Sequence, residues 1–302
     1  MMHRLEFHAM GCKMLAVVDS DVRPASLEQV PLWFEEWEKS LSRFRQDSEL
    51  CQFNRLAGRP IFVSEVLWDV MQVSAEAGKL TSGLVNPLIL NALVNAGYNQ
   101  SFENLQDDPL ASFSDSADVP GLGEILTDPK VRTICIPEGA QLDFGGVAKG
   151  WAAHRATELL KINGPSLVDA GGDIAVSGPD SHGDAWPIGI DDPFNPGTNF
   201  EIIYLEIGGV ATSGRDYRHW THQGTPQHHI IDPGTGLPAA TDILTATVIA
   251  PTVMQAEAVA KSVLISGSQH GLAWLDAHED WAGVLVLEDG RRLYTRSADS
   301  YL

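Results

Sequence analysis

The chain has 302 residues, of which 44% are hydrophobic, enough to bury a sizeable core and to exclude wholesale disorder. Its formal net charge of −20, from 40 acidic and 20 basic residues, argues against a general nucleic-acid binder, which needs a basic surface to neutralise phosphates. Three cysteines, Cys12, Cys51 and Cys135, stand far apart without a C-x-x-C pair, so buried free thiols are expected rather than a zinc site or a disulfide framework. The opening residues carry no charged stretch followed by a long apolar run, and no segment reaches the roughly 18 apolar residues of a membrane span. A cytoplasmic protein without a membrane span is expected.

In chain order, Phe7 to Val18 reads as one or two strands interrupted at Ala9-Met10-Gly11-Cys12. Val30, Trp33, Phe34, Trp37, Leu41 and Phe44 recur at helical spacing, predicting an amphipathic helix over Pro31 to Phe44 with Pro31 in its first turn and an aromatic stripe in the core. Ser48 is placed to cap a short helix from Leu50 to Leu56. A further helix is predicted from Ser64 to Ala77, with Leu67, Val70, Met71 and Ser74 inward and Gly78 as its stop. Thr81 to Pro87 is a loop, followed by a short helical pattern through Leu93. Residues 99–130 are polar and punctuated by Pro109, Pro120, Gly121, Gly123 and Pro129, which suggests a surface excursion.

After a short strand at Val131–Pro137 comes Leu142-Asp143-Phe144-Gly145-Gly146-Val147-Ala148-Lys149-Gly150-Trp151, a turn leading into a helix that runs to about Lys161. A helix N-terminus offers unpaired N–H groups and a positive dipole end, so such a turn can hold a phosphate. Ser166 to Val176 reads as strand, tight glycine turn, strand. Strands follow at Trp186–Ile190, Phe200–Glu206, Gly209–Thr212, His228–Ile231 and Leu244–Ala250. Helices at Val253–Ile265 and Ser268–Ala277, separated by Gly267, precede a closing hairpin with its turn at Asp289-Gly290. No repeat or linker interrupts the pattern. It predicts one α+β domain over 1–302, a mixed or antiparallel β-sheet core with packed helices.

Four polar, glycine-bearing loops follow or join strands and could meet in one cleft: Met10-Gly11-Cys12, Ala170–Asp173, Ala211–Tyr217 and His228–Gly236. Singly, each reads as a plain turn. Taken in order, however, several segments resemble the FAD:protein FMN transferase (ApbE-type) family over nearly the whole chain. They are Met10-Gly11; Leu41-Ser42-Arg43-Phe44 with Asp47 to Leu50 and Asn54; Gly83 to Pro87; Leu142 to Gly150; Asp169 to Asp173; Ala211 to Gly214; and His229-Ile230-Ile231-Asp232-Pro233 with Thr235-Gly236. The resemblance implies an enzyme that binds FAD and, with Mg²⁺, moves FMN to a Thr or Ser hydroxyl of a target flavoprotein, releasing AMP. It places Met10, Phe44, Leu84, Val85, Asn86, Asp143 and Lys149 at the FAD site, with Asp173, Thr212 and Ile230 beside them. His229 becomes the candidate general base, since an imidazole suits abstraction from a hydroxyl.

Three departures stand out. On the helix after Leu244–Ala250 the family usually carries Ala-Asp-Ala-x-x-Thr, whose Asp and Thr bind magnesium; here the helix reads Ala256-Glu257-Ala258-Val259-Ala260-Lys261. Glu257 keeps the acid as a candidate metal ligand, but Lys261 holds the threonine position. At i and i+4 the two share a helix face, so one reading is a helix salt bridge. The other is that the Lys261 ammonium stands where the metal would and serves as a catalytic cation. Asn86 replaces a common Asp, and no export signal is seen. Two alternatives share these residues: an FAD-binding protein without transferase activity, and an FAD pyrophosphate hydrolase giving FMN and AMP.

Overall fold

The computed structural model describes residues 1–107 and 116–302, so Pro109 of the polar excursion lies outside the described residues. The chain groups into two compact units. The first comprises Met1–Glu35, Lys149–Asp216 and Thr241–Leu302, and the second Glu36–Ala148 and Tyr217–Ala240.

The first unit is built on an eight-stranded, wholly antiparallel sheet. Its spatial order is Met2–Ala9, Cys12–Asp19, Ser166–Ala170, Asp173–Val176, Gly208–Gly214, Ile243–Ala250, Ala282–Leu287 and Arg292–Tyr294. Side chains alternate between the two faces with a period of two, which sorts the core into two layers. Towards one face lies the hairpin Trp186–Asp191/Asn199–Leu205, whose Trp186, Ile188, Ile190, Ile203 and Leu205 pack against Ile174, Val176, Val210 and Ile249. The helix Val253–Asp276 covers the other face. At Gly209 a Cβ would lie 2.1 Å from the backbone nitrogen of Val253, so the start of that helix sits against bare backbone. Sandwiched strands need apolar residues at consecutive positions, as in the fully buried Ala-Gly-Val-Leu-Val-Leu of Ala282–Leu287.

Thr252 caps the long helix by accepting from the Gln255 N–H at 3.2 Å. Gly267, at φ 78°, interrupts it where the sequence places a break. Asp242 then recaps the chain through the backbone N–H of Ser268, at 2.9 Å.

The second unit carries helices Glu49–Asn54, Glu65–Leu80 and Leu90–Asn95. Ile61–Phe62, Thr133–Cys135 and Leu126–Asp128 form a small antiparallel sheet. Two short hairpins, His219–His222/Thr225–His228 and Ile231–Asp232/Leu237–Pro238, complete it. Trp220 packs with Leu93, Ala96, Tyr98 and Ile231, and its indole N–H donates to the carbonyl of Ala96 at 2.8 Å. Together the units give the α+β class.

Several local expectations change. The first helix runs Ala25–Leu41, so Pro31 sits inside it, because a missing N–H is tolerated when Val30, Phe34, Trp37 and Leu41 are buried. Phe44 falls beyond the helix and is 41% exposed, so it leaves the core stripe. Gly78 does not stop its helix, which continues to Leu80; a Cβ there would meet Leu122 Cδ1 at 2.2 Å and Val85 O at 3.1 Å, so close packing explains the glycine. The strand expected at His228–Ile231 is split, with His229 and Ile230 between two hairpins. The three cysteines are free, but partly exposed rather than buried.

Candidate functional site

The first unit gathers charged side chains from segments far apart in sequence. Lys149 is the second residue of helix Ala148–Leu160, and its ammonium donates to Asp173 Oδ2 at the head of its strand. Burial opposes charge on Lys149, yet Asp173, then Glu257 and Cys12, outweigh it and hold its pKa above the ordinary value. Glu257, on the long helix, accepts the N–H of Gly150 at 3.0 Å through Oε2. That N–H is among the first-turn donors a helix leaves unpaired, and a negative charge suits the positive end of the dipole. A Cβ on Gly150 would stand 2.6 Å from the same oxygen, so glycine is required for the approach. The other carboxylate oxygen, Oε1, is buried with no hydrogen-bond partner. Burial, and then Asp173, push the Glu257 carboxyl up to about 7, against the pull of Lys149, Lys261 and the Gly150 N–H.

Flanking turns frame this cluster. Asp169 Oδ1 accepts the N–H of Gly172 at 2.8 Å, and burial pushes its pKa up. Gly171 and Gly172 take φ of 68° and 92°, and a Cβ on Gly171 would come within 2.7 Å of Cys12 Cβ. Cys12, directly after the Met10-Gly11 turn, therefore packs on the Gly171-Gly172 turn, with Met10 itself at φ 49°. Thr212 donates its N–H to Gly172 O at 3.2 Å and shares a hydroxyl hydrogen bond with Thr247 at 2.9 Å. Lys261 is half-buried and makes no ion pair with Glu257 among the described residues, so the helix salt bridge does not form; its charge acts on Glu257 without contact.

The remaining candidates lie in the second unit. Arg43 Nε binds Asp143 Oδ2 at 2.8 Å, and its Nη1 donates to Tyr98 O at 2.7 Å. The guanidinium lies 4.2 Å from the Phe44 ring centre and 4.4 Å from that of Tyr98, a cation–π arrangement on both rings. Asp143 Oδ1 accepts the Gly145 N–H at 2.8 Å, which fixes the turn before the helix. Asn54 clamps the preceding Leu142, donating to its carbonyl at 2.9 Å and accepting its N–H at 2.8 Å.

Asn86 is spent on the fold. Its Oδ1 accepts from Leu88 N–H and its Nδ2 donates to Pro120 O, both at 2.9 Å. An aspartate could not make the second bond, which accounts for the amide at this position. Val85 is buried and Leu84 half-buried. His228 is tied to the backbone, with Nε2 3.1 Å from Ala239 O and Nδ1 accepting from Ile230 N–H at 3.3 Å. His229 next to it is half-buried, and Ile230 is buried.

Lys149, Asp173 and Glu257 thus come together, with Met10 on a flanking turn, Thr212 in the strand Gly208–Gly214 and Lys261 a helical turn from Glu257. Phe44 and Asp143 come together through Arg43. Sequence reasoning quoted Arg43 inside a motif but gave it no role; its position directly before the candidate Phe44 was the available signal. The Gly150–Glu257 bond, which spans 107 residues, left none.

The donor set does not fit a magnesium site. A hard divalent cation takes several oxygen ligands, usually including carboxylates. Asp173 is occupied by Lys149, one Glu257 oxygen is occupied by Gly150, and Lys261 adds a second ammonium charge. Among the described residues, no group of three His, Cys, Asp or Glu side chains could hold a metal ion.

Residues 10–285 match the model of the ApbE family, and the chain belongs to that family. It is 30% identical over 298 residues to the FAD:protein FMN transferase of Treponema pallidum (strain Nichols), covering 88% of this chain and 78% of that protein. Against the FAD:protein FMN transferase of Vibrio cholerae serotype O1 the identity is 27% over 289 residues, with coverages of 93% and 85%. The crystal structure of the ApbE protein from Thermotoga maritima superposes with a TM-score of 0.88 at 25% identity, covering 100% of this chain and 99% of that one. Among the described residues, no helix is long and apolar enough to cross a membrane.

Proposed function

We propose that this chain is an FAD:protein FMN transferase. In the reaction, a Thr or Ser hydroxyl of a target flavoprotein attacks the FMN phosphorus of FAD. The P–O–P bond breaks, AMP leaves with the bridging oxygen, and the hydroxyl gives up its proton to a base. The observation that carries this reading is the family match over residues 10–285, with relatives bearing that activity in their names along most of the chain.

The side chains support it. Charge that builds on a pyrophosphate during transfer is stabilised by preorganised donors and cations. Lys149 is such a cation, permanently charged in its pocket and oriented by Asp173. In our reading Met10, Thr212 and Asp173 take part in holding FAD. Phe44, Leu84, Val85 and Ile230 offer it apolar surface, with Asn86 and Asp143 shaping the loops that carry them. His229 is the base for the acceptor hydroxyl.

Incubating the purified protein with FAD and a candidate target flavoprotein domain, followed by intact-mass analysis, tests the proposal. Covalent FMN on the target together with released AMP is expected. Free FMN and AMP with an unlabelled target would identify a hydrolase, and intact bound FAD a binding protein; either result overturns the transferase reading.

A further inference from the structure

We infer that the Lys261 ammonium is a built-in cation for the FAD pyrophosphate, so that this chain binds FAD without a divalent metal. The inference rests on the proposed FAD reading and deepens it.

Three observations carry it. Glu257 is 2% exposed, yet its Oε1 meets no hydrogen-bond donor, so a buried carboxyl oxygen is left unmatched. Lys149 does not fill that need, because its ammonium is committed to Asp173. Lys261 lies four residues beyond Glu257 on the same helix face, where side chains are neighbours about 5–6 Å apart at Cβ. It is half-buried, and its charge already acts on the Glu257 carboxylate.

Charge arithmetic points the same way. Lys149 and Lys261 stand against Asp169, Asp173 and Glu257, and burial raises the pKa of Asp169 and of Glu257, so protonation of either one leaves a neutral setting for the incoming pyrophosphate dianion. A divalent ion at Glu257 would face the charges of both Lys149 and Lys261, which already act on that carboxyl, and like charges repel strongly in a poorly hydrated site. Lysine also differs from a metal in kind, since it provides a point charge and hydrogen-bond donors but no coordination template.

The test is FAD binding by the full chain, followed by flavin fluorescence, in excess EDTA and in millimolar Mg²⁺, together with a Mn²⁺ titration read by EPR. The wild-type dissociation constant for FAD is expected to agree within twofold in the two buffers, with no stoichiometric Mn²⁺ bound at micromolar concentration. A tenfold loss of affinity in EDTA, or tight Mn²⁺ binding by the wild type, overturns the inference. Lys261→Thr is expected to weaken FAD binding at least tenfold in EDTA and to recover it with Mn²⁺, with an altered Mn²⁺ spectrum. Unchanged affinity of that variant in EDTA also overturns it. The wild-type measurements decide the matter even if the variant does not fold. Metal-free FAD binding without labelling of any target leaves this inference standing while the transferase reading fails. No FAD binding in either buffer overturns both.

Discussion

Each unit buries one cation against one aspartate, and the two pairs are finished differently. In the second unit one cation meets one aspartate: the Arg43 guanidinium is stacked on Phe44 and Tyr98 and bound to Asp143 and Tyr98 O, with its Nη2 left without a partner among the described residues, while the second Asp143 oxygen holds Gly145. In the first unit Lys149 faces Asp169, Asp173 and Glu257, and one Glu257 oxygen has no partner. A buried ion pair is costly to desolvate, and each cluster leaves one polar atom unmet, a donor on Arg43 and an acceptor on Glu257. The Arg43 pair, with one charge of each sign, reads as a brace for the Gly145 turn. The Lys149 cluster holds more acids than its one lysine offsets, which marks it as a place that calls for further positive charge.

The contrast is most sharply broken by removing each cation. Lys149→Met leaves Asp173 and Glu257 buried without their nearest counter-charge, and a loss of about 3–5 kcal/mol in unfolding free energy is expected, together with loss of FAD binding. Urea denaturation and flavin fluorescence measure the two effects, and a stability loss below that of Arg43→Met would invert the comparison. Arg43→Met strands a single aspartate and is expected to cost about 2–4 kcal/mol, with protease cutting near Gly145 as a second readout.

Protonation offers a finer probe. The folded pKa of Glu257, about 7, lies above its ordinary value near 4.5, so the folded state holds that proton more tightly than the unfolded chain. Its contribution to stability is whole below the ordinary value and declines as pH rises towards 7. Glu257→Gln escapes that decline, so relative to wild type it should gain about 1–3 kcal/mol between pH 4.5 and 7. Thermal unfolding across this range checks the slope, and a constant difference would show that Lys149 and Lys261 already neutralise the carboxylate. The smallest effect falls on the exposed ring. Phe44→Leu removes one cation–π contact at a partly exposed site and should cost no more than about 1 kcal/mol, while weakening FAD binding if the ring stacks on the ligand.

What could be read from the sequence followed from the range of the interactions. Ser48 caps its helix as expected, and Ser64, expected as the first residue of the next helix, caps that one, because a cap joins residues three apart. The Gly267 break and the Gly171-Gly172 turn are likewise local decisions of the backbone. Gly78 misled because its reason is Leu122, a packing partner beyond any local pattern. Pro31 misled because burial along one helix face outweighs a lost hydrogen bond. The candidate residues were reached through motifs, but not their pairings: Arg43 meets Asp143 across 100 residues and Lys149 meets Asp173 across 24, and only the folded chain sets those partners.

Gly150 and Glu257 carry one last consequence. Because the carboxylate reaches the Gly150 nitrogen and would stand 2.6 Å from a Cβ there, position 150 cannot drift by itself while 257 stays glutamate. A methyl can enter at 150 only where the side chain at 257 is shorter, and a longer acid at 257 survives only opposite glycine. Across related chains a side chain at 150 should therefore occur only beside a residue shorter than glutamate at 257, while glycine at 150 accepts either acid, a signature that a sequence collection can be searched for without purifying any protein.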